Sequence, residues 1–302
     1  MATEEPRWVR PSVPEAEGLI GVKHRVLSHG YVVLVDYMGN DNAIVQAARV
    51  SYGMGTKSVR DDRGLIRYLM RHRHTTPFEM VELKFLVRLP IYVARQWIRH
   101  RTASVNEYSA RYSVIPDEFD LPPPEDVRRQ SGRNRQGRGE ELPPEAVTAF
   151  RTGLDQVSRE AYQVYLRALE SGVARETARL VLPLAYYTEW YWKTDLHNLF
   201  HFLSLRLDPH AQEEIRRYAA ELARIGRAVC PIAFEAFDEF TLEGLSLSRR
   251  EQRAVRAMLN GATPEAACAE AGLPLRREDG RPMTTGEGVE FLEKLERLRA
   301  SA

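Results

Sequence analysis

The stretch from Val81 to Arg111 limits what this chain can fold into more than any other. Val81-Glu82-Leu83-Lys84-Phe85-Leu86-Val87-Arg88-Leu89 alternates apolar and polar side chains almost without fault, the pattern of a strand with one buried face. Pro90 follows at once, and Ile91-Tyr92-Val93-Ala94-Arg95-Gln96-Trp97-Ile98 reads as a helix with an apolar face. Proline suits the first helical position, where the N–H it lacks has no partner to lose. A strand and a helix that both demand a core then deliver thirteen residues, Arg99 to Arg111, with few apolar side chains among them. That segment must be held at the edge of the core.

The segment carries three arginines, a histidine, two serines, an asparagine and a glutamate. Forked, permanently charged donors suit phosphate and planar heterocycles. On composition alone a solvated basic surface explains the segment equally well. Spacing favours a site. Residues three and four apart share a helix face, so Gln96 and Arg99 point the same way. Past Asn106, an extended backbone would place Glu107, Ser109 and Arg111 on one side.

Elsewhere the chain shows a few strands among many helices. Residues 1–28 read as loop. Tyr31–Tyr37 is a β-branched run and a buried strand, and Met38–Asn42 is a turn capping a helix over Ala43–Val50. Gly53-Met54-Gly55 lacks the context of a dinucleotide-binding fingerprint. A helix is expected over about Asp61–Arg73, and a turn over His74–Glu79. Residues 116–143, with Pro122-Pro123-Pro124 and five arginines between Arg128 and Arg138, read as a mobile loop. Phe150, Leu154, Val157, Ala161, Val164 and Ala168 step by four and three, giving one long amphipathic helix over Pro144–Ser171. A second helix is expected over Val173–Leu182, a strand over Tyr186–Thr194, and a helix capped by Asp195 and running to Arg206. Ile215, Tyr218, Leu222, Ile225 and Val229 mark another long helix. Residues 246–302 read as two or three short helices around a polar loop at 276–285. With no regular βαβ alternation, the expected class is α+β, a mixed α/β single domain with a small sheet packed by long helices. The expected division is a main domain over 1–245 and a helical C-terminal extension over 246–302.

Composition narrows the function classes. A net charge of +1 over 302 residues gives no whole-chain case for nucleic acid or a membrane surface. No apolar run approaches the ~20 residues of a membrane span. The acidic start Met1–Pro6 is unlike a secretory leader, so the cytoplasm is the expected location. Cys230 and Cys268 are too few for a disulfide framework, and Cys230 reads as a small buried residue. Neither lies in the electropositive context of a reactive thiolate. His197 and His201, four apart on a helix, could share a metal, but no third ligand is spaced nearby, and no metal is expected.

Arg99 to Ser109, read as RHR-x-x-S-x-N-E-x-S, is similar to the signature of flavin-dependent thymidylate synthases at every fixed position. His74-Thr75-Thr76-Pro77-Phe78-Glu79, Arg179-x-Val181-Leu182-Pro183 and Leu205-Arg206-x-Asp208-x-His210-Ala211-Gln212 resemble that family too. The resemblance covers about residues 15–240. It implies reductive methylation of dUMP to dTMP, with methylenetetrahydrofolate as carbon donor and NADPH reducing a bound FAD. It implies a homotetramer with active sites between subunits. Arg206 is the implied catalytic residue, polarising the uracil ring electrostatically so that no cysteine nucleophile is needed. The implied flavin contacts are His74, Thr76, Arg99, His100, Arg101, Glu107, Asp195, Leu196, His197 and His201. At Asp195, His197 and His201 some relatives carry other side chains. For dUMP the implied contacts are Gln96, Arg99, Glu107, Tyr108, Ser109, Ala110, Arg111, Arg179 and Arg206, with the backbone of Tyr108 and Ala110 at the phosphate. A nucleotide- or RNA-binding regulator, or a flavin oxidoreductase with another acceptor, are the competing classes.

Overall fold

The computed structural model describes residues 10–50, 62–132 and 137–300. The Met1–Pro6 segment, the Gly53–Gly55 loop and the centre of the arginine-rich loop lie outside the described residues. The described residues form seven strands: β1 (His24–Val26), β2 (Gly30–Met38), β3 (Glu82–Pro90), β4 (Ser104–Glu107), β5 (Arg128–Gln130), β6 (Arg138–Glu141) and β7 (Tyr187–Asp195). Five of them make an antiparallel sheet in the order β1-β2-β3-β7-β4, and β5 with β6 forms a separate hairpin.

The alternation in β3 explains its central place. Leu83, Phe85, Val87 and Leu89 are wholly buried, while Lys84, Leu86 and Arg88 on the other face are not. β7 pairs along the full length of β3, from Glu82 opposite Asp195 to Pro90 opposite Tyr187. β4 is the edge strand, and all four of its residues are exposed. Beneath the sheet, Trp97 stands 4.7 Å from Phe202, 5.3 Å from Trp192 and 5.8 Å from Trp190, ring centre to ring centre. Each fully buried aromatic of this kind contributes on the order of 2–3 kcal/mol. The helix Glu213–Val229 buries Ile215, Tyr218, Leu222, Ile225 and Val229, the stripe its spacing marks. Gly30 is required where that helix meets the strands, because a Cβ there would strike the Tyr218 hydroxyl, which donates to the Arg88 carbonyl at 2.8 Å.

Several local expectations are corrected. Residues 1–28 are not all loop: a short helix forms at Pro14–Glu17 and β1 follows. Pro90 ends β3 and caps the helix Ile91–Trp97 from an extended conformation, rather than opening it. The strand after Asn106 stops at Glu107, since the Tyr112 N–H turns back to the Ser109 carbonyl at 3.1 Å. The helix expected over Val173–Leu182 is one turn, Arg175–Ala178, followed by a 3₁₀ turn at Arg179–Val181. Part of the 116–143 loop is the β5–β6 hairpin. The long helix Pro144–Glu170 forms, but Phe150, Val157 and Val164 of its apolar stripe are 51%, 57% and 41% exposed. Its inward face is instead Tyr162, Tyr165, Leu166 and Leu169, which pack around Ile115, Phe119 and Tyr186. Two apolar sides on one helix cannot be ranked from spacing alone.

The chain divides into two compact units, one of residues up to Arg129 with Glu140–Leu242, the other of Gln130–Gly139 with Glu243 onward. In the second, the helices Arg249–Leu259, Pro264–Ala271 and Glu287–Ala300 enclose a core of small residues around Phe291. Ser248 and Glu251 form a reciprocal capping box, and Gly272 ends the second helix at φ 72°.

Candidate active site

Arg206 closes the helix Leu196–Arg206, whose start is set by Asp195: its carboxylate accepts from the Asn198 amide at 2.9 Å. The helix buries Leu199, Phe202 and Leu203, which leaves Arg206 half-buried at its end. Its Nε donates to Nε2 of His100 at 3.0 Å. Because Nε2 accepts, the His100 ring is neutral and carries its proton on Nδ1. Burial, then the charge of Arg206, then His201, lowers the His100 pKa to about 4. The His100 ring meets Phe202 edge-on at 4.8 Å and lies 5.7 Å from His201. Among the described residues, Arg206 has no carboxylate partner, and nor do Arg99, Arg101 or Arg179. Some arginines of this unit pair with acids, as Arg49 does with Asp62 at 2.6 Å and Arg217 with Asp126 at 2.8 Å, while others outside the signature, such as Arg151 and Arg175, reach only backbone carbonyls. Guanidinium groups kept apart from carboxylates suit an anionic or carbonyl-rich ligand.

The segment between His100 and Glu107 is pinned along β7. The Thr194 hydroxyl donates to the Thr102 carbonyl at 3.3 Å, and Ser104 to Glu107 pair opposite Lys193 to Trp190. Glu107 accepts from the Thr188 hydroxyl at 2.7 Å. The Tyr108 N–H is taken by the Glu189 carbonyl at 2.7 Å, so the sheet removes it from any ligand. Gln96, on the helix Ile91–Trp97, donates its side-chain amide to Gln212.

Ser109, Ala110 and Arg111 sit in the turn that follows. Ala110 is buried against the cluster of Ile115, Phe119, Tyr165 and Ala178, which leaves only its backbone to meet a ligand. The Arg111 amide is 3.3 Å from the Ser109 hydroxyl, and its guanidinium is 3.3 Å from Glu176, both side chains more than half exposed. Arg179 lies a few residues further along, exposed. Among the described residues no hydrogen bond or ion pair joins Arg111 or Arg179 to Arg206 or His100.

His74 and Thr76 flank the start of the helix Thr76–Glu79, whose Phe78 meets Phe200 of the Leu196–Arg206 helix at 6.1 Å, ring centre to ring centre. With Tyr68, Leu69, Ala47 and Met80 they line an apolar cleft of about 630 Å³. Tyr68 stacks obliquely on His72 at 4.3 Å and meets His74 edge-on at 5.8 Å. A cleft of this size and lining suits a planar ring system. Asp195 is engaged as a helix cap and Leu196 is buried with its N–H on the Val81 carbonyl, while His197 is half-buried and His201 exposed. No group of three or more His, Cys, Asp or Glu among the described residues could hold a metal ion. Both cysteines are buried, and burial pushes both thiols up, so neither offers a thiolate nucleophile. The structure adds three residues that sequence reasoning passed over. Gln212 closes the Leu205–Gln212 motif, and Thr188 is reachable by counting strand register, but Glu176 carries no sequence signal.

The mixed α/β sheet, the arginines without acids and the buried, protonated cysteines fit one class, an enzyme with a cationic site and no thiol nucleophile. The chain belongs to the family described as thymidylate synthase complementing protein, whose model matches residues 33–232. It is 58% identical over 249 residues to a flavin-dependent thymidylate synthase of Thermus thermophilus, spanning 82% of this chain and 90% of that one. It is 55% identical over 260 residues to the protein of that name from Gluconobacter oxydans, spanning 84% and 85%. Among solved structures it resembles the UMP/dUMP methylase PolB from Streptomyces cacaoi bound with 5-Br dUMP, with a TM-score of 0.66, 37% identity, and coverage of 72% of this chain and 99% of that one.

Proposed function

We propose that the protein is an FAD-dependent thymidylate synthase that converts dUMP to dTMP, with methylenetetrahydrofolate giving the carbon and NADPH the reducing equivalents. The observation that carries this reading is the Arg99–Arg101 stretch, whose guanidinium groups lack acids and whose histidine grips Arg206. FAD fits the residues present: Arg99 and Arg101 offer donors for a pyrophosphate, and the cleft at His74 and Thr76 is apolar and of ring size. Bound flavin supplies hydride chemistry that no side chain can. The chain's own part is to hold the nucleotide and polarise it. Arg206, a permanent cation, stabilises negative charge on the uracil carbonyl edge, which makes the ring carbon nucleophilic. Arg111, Arg179 and Ser109 hold the phosphate, for which Arg111 must leave Glu176.

A homotetramer with sites between subunits is part of the same reading. It is supported by the exposed stripe of Phe150, Val157 and Val164 on a 27-residue helix. Glu243 onward lies beyond the residues that the family model matches, and it is read as a helical appendage with no role assigned. No helix among the described residues is long and apolar enough to cross a membrane. The reading is tested by purifying the protein, recording its visible spectrum, and assaying dTMP with each reactant omitted in turn and with UMP in place of dUMP. A flavin spectrum, with dTMP formed only when dUMP, folate and NADPH are all present, is expected. A colourless protein that FAD cannot reconstitute refutes it.

A further inference from the structure

We propose that His100 is a positioning residue for Arg206: its neutral Nε2 accepts the Arg206 Nε–H and fixes the plane of the guanidinium, so that both terminal nitrogens face the nucleotide. The inference rests on the functional reading above for the identity of that nucleotide.

The geometry gives it three supports. The hydrogen bond of 3.0 Å uses Nε alone, and among the described residues neither terminal nitrogen of Arg206 has a hydrogen bond or an ion pair. A guanidinium fork is left open for a bidentate acceptor. Second, the partner is a neutral ring. A carboxylate at this place would neutralise Arg206 and compete with the ligand, whereas an imidazole orients the group and leaves its charge unspent. Third, the imidazole is itself fixed by the Phe202 edge at 4.8 Å and by the turn that ends the preceding helix, where the His100 N–H reaches the Trp97 carbonyl at 3.0 Å. The charged and titratable groups facing it are Arg206 and His201, and both favour the neutral ring. Because Nε2 accepts, Nδ1 carries the hydrogen and points away from Arg206, free to donate to a bound molecule.

Side-chain geometry supplies the test. The Gln side-chain oxygen reaches about where Nε2 lies, while the shorter Asn side chain ends near Nδ1. The dUMP affinity of the FAD-loaded protein is measured by equilibrium dialysis for wild type, H100Q, H100N and H100F, each also in an R206A background, with flavin content and near-ultraviolet circular dichroism recorded alongside. In the Arg206 background, H100F and H100N are expected to weaken dUMP binding by about tenfold or more, and H100Q by no more than about threefold, the scale of one hydrogen bond to a charged group. In the R206A background the three substitutions should differ by less than about twofold, because the histidine acts only through the arginine. Rescue by Asn instead of Gln, or an equal loss in both backgrounds, overturns the proposal and assigns His100 a role of its own. A wild-type holoprotein that does not retain dUMP at all is a separate failure, that of the functional reading, and takes this proposal with it.

Discussion

The linkage between His100 and Arg206 makes a quantitative prediction about stability. An exposed histidine titrates at its ordinary value, while His100 in the folded chain titrates at about 4, chiefly through burial. The folded state therefore resists protonation of a ring that the unfolded chain protonates readily. The stabilisation is fully present above about pH 6.5 and is lost as pH falls from there toward about 4. Lowering the pH from about 7.5 to about 4.5 would by linkage remove about 2.5 kcal/mol for a wholly buried group. His100 is only half-buried, and solvent screening reduces the expected loss to on the order of 1–1.5 kcal/mol. Other groups are shifted as well: burial lowers His24 and raises the carboxyls of Asp41 and Asp120. The difference between wild type and H100Q isolates the one ring, since glutamine does not titrate. Urea unfolding of both proteins at the two pH values gives the answer. The stability advantage of wild type over H100Q should shrink by that amount at the lower pH. An advantage that stays constant, or that grows as the pH falls, would refute the account of a neutral acceptor held under Arg206.

Arg206→Ala should lower dTMP formation by about a hundredfold or more, the cost of one pre-organised electrostatic group, while flavin content measured by absorbance changes little. Val157→Asp places a charge in the middle of the exposed stripe and should shift the sedimentation coefficient toward a smaller species, with no change in circular dichroism. Asp195→Ala removes the carboxylate that receives the Asn198 amide and should cost about 1 kcal/mol in thermal or urea unfolding. Cys230→Ala should leave turnover nearly intact and cost on the order of 1 kcal/mol of stability, because the thiol is buried and protonated. Turnover abolished in a folded Cys230→Ala protein would show a thiol at work in the reaction.

The sequence alone determined those elements whose pattern has a single reading. The alternation from Val81 to Leu89 could only be a half-buried strand, and it became β3 at the centre of the sheet. The steps of three and four from Ile215 to Val229 gave a helix with that stripe inward. Asp195 was legible as a cap, since a short acceptor before an apolar helical run has few other uses. The Arg99–Ser109 signature pointed to the family on its own. Tertiary structure decided what periodicity leaves degenerate. The helix Pro144–Glu170 has two apolar sides, and only contact with Ile115, Phe119 and Tyr186 selected which one turns inward. The strand after Asn106 broke at Glu107 because the Ser109 carbonyl captured the Tyr112 N–H, a closure that no spacing rule reports. That His100 accepts from Arg206, more than a hundred positions away, required the helices ending at Trp97 and Arg206 to converge on one aromatic cluster. Local pattern follows from interactions a few residues long, whereas which arginine is left without an acid depends on contacts between distant elements, and these exist only once the sheet has closed.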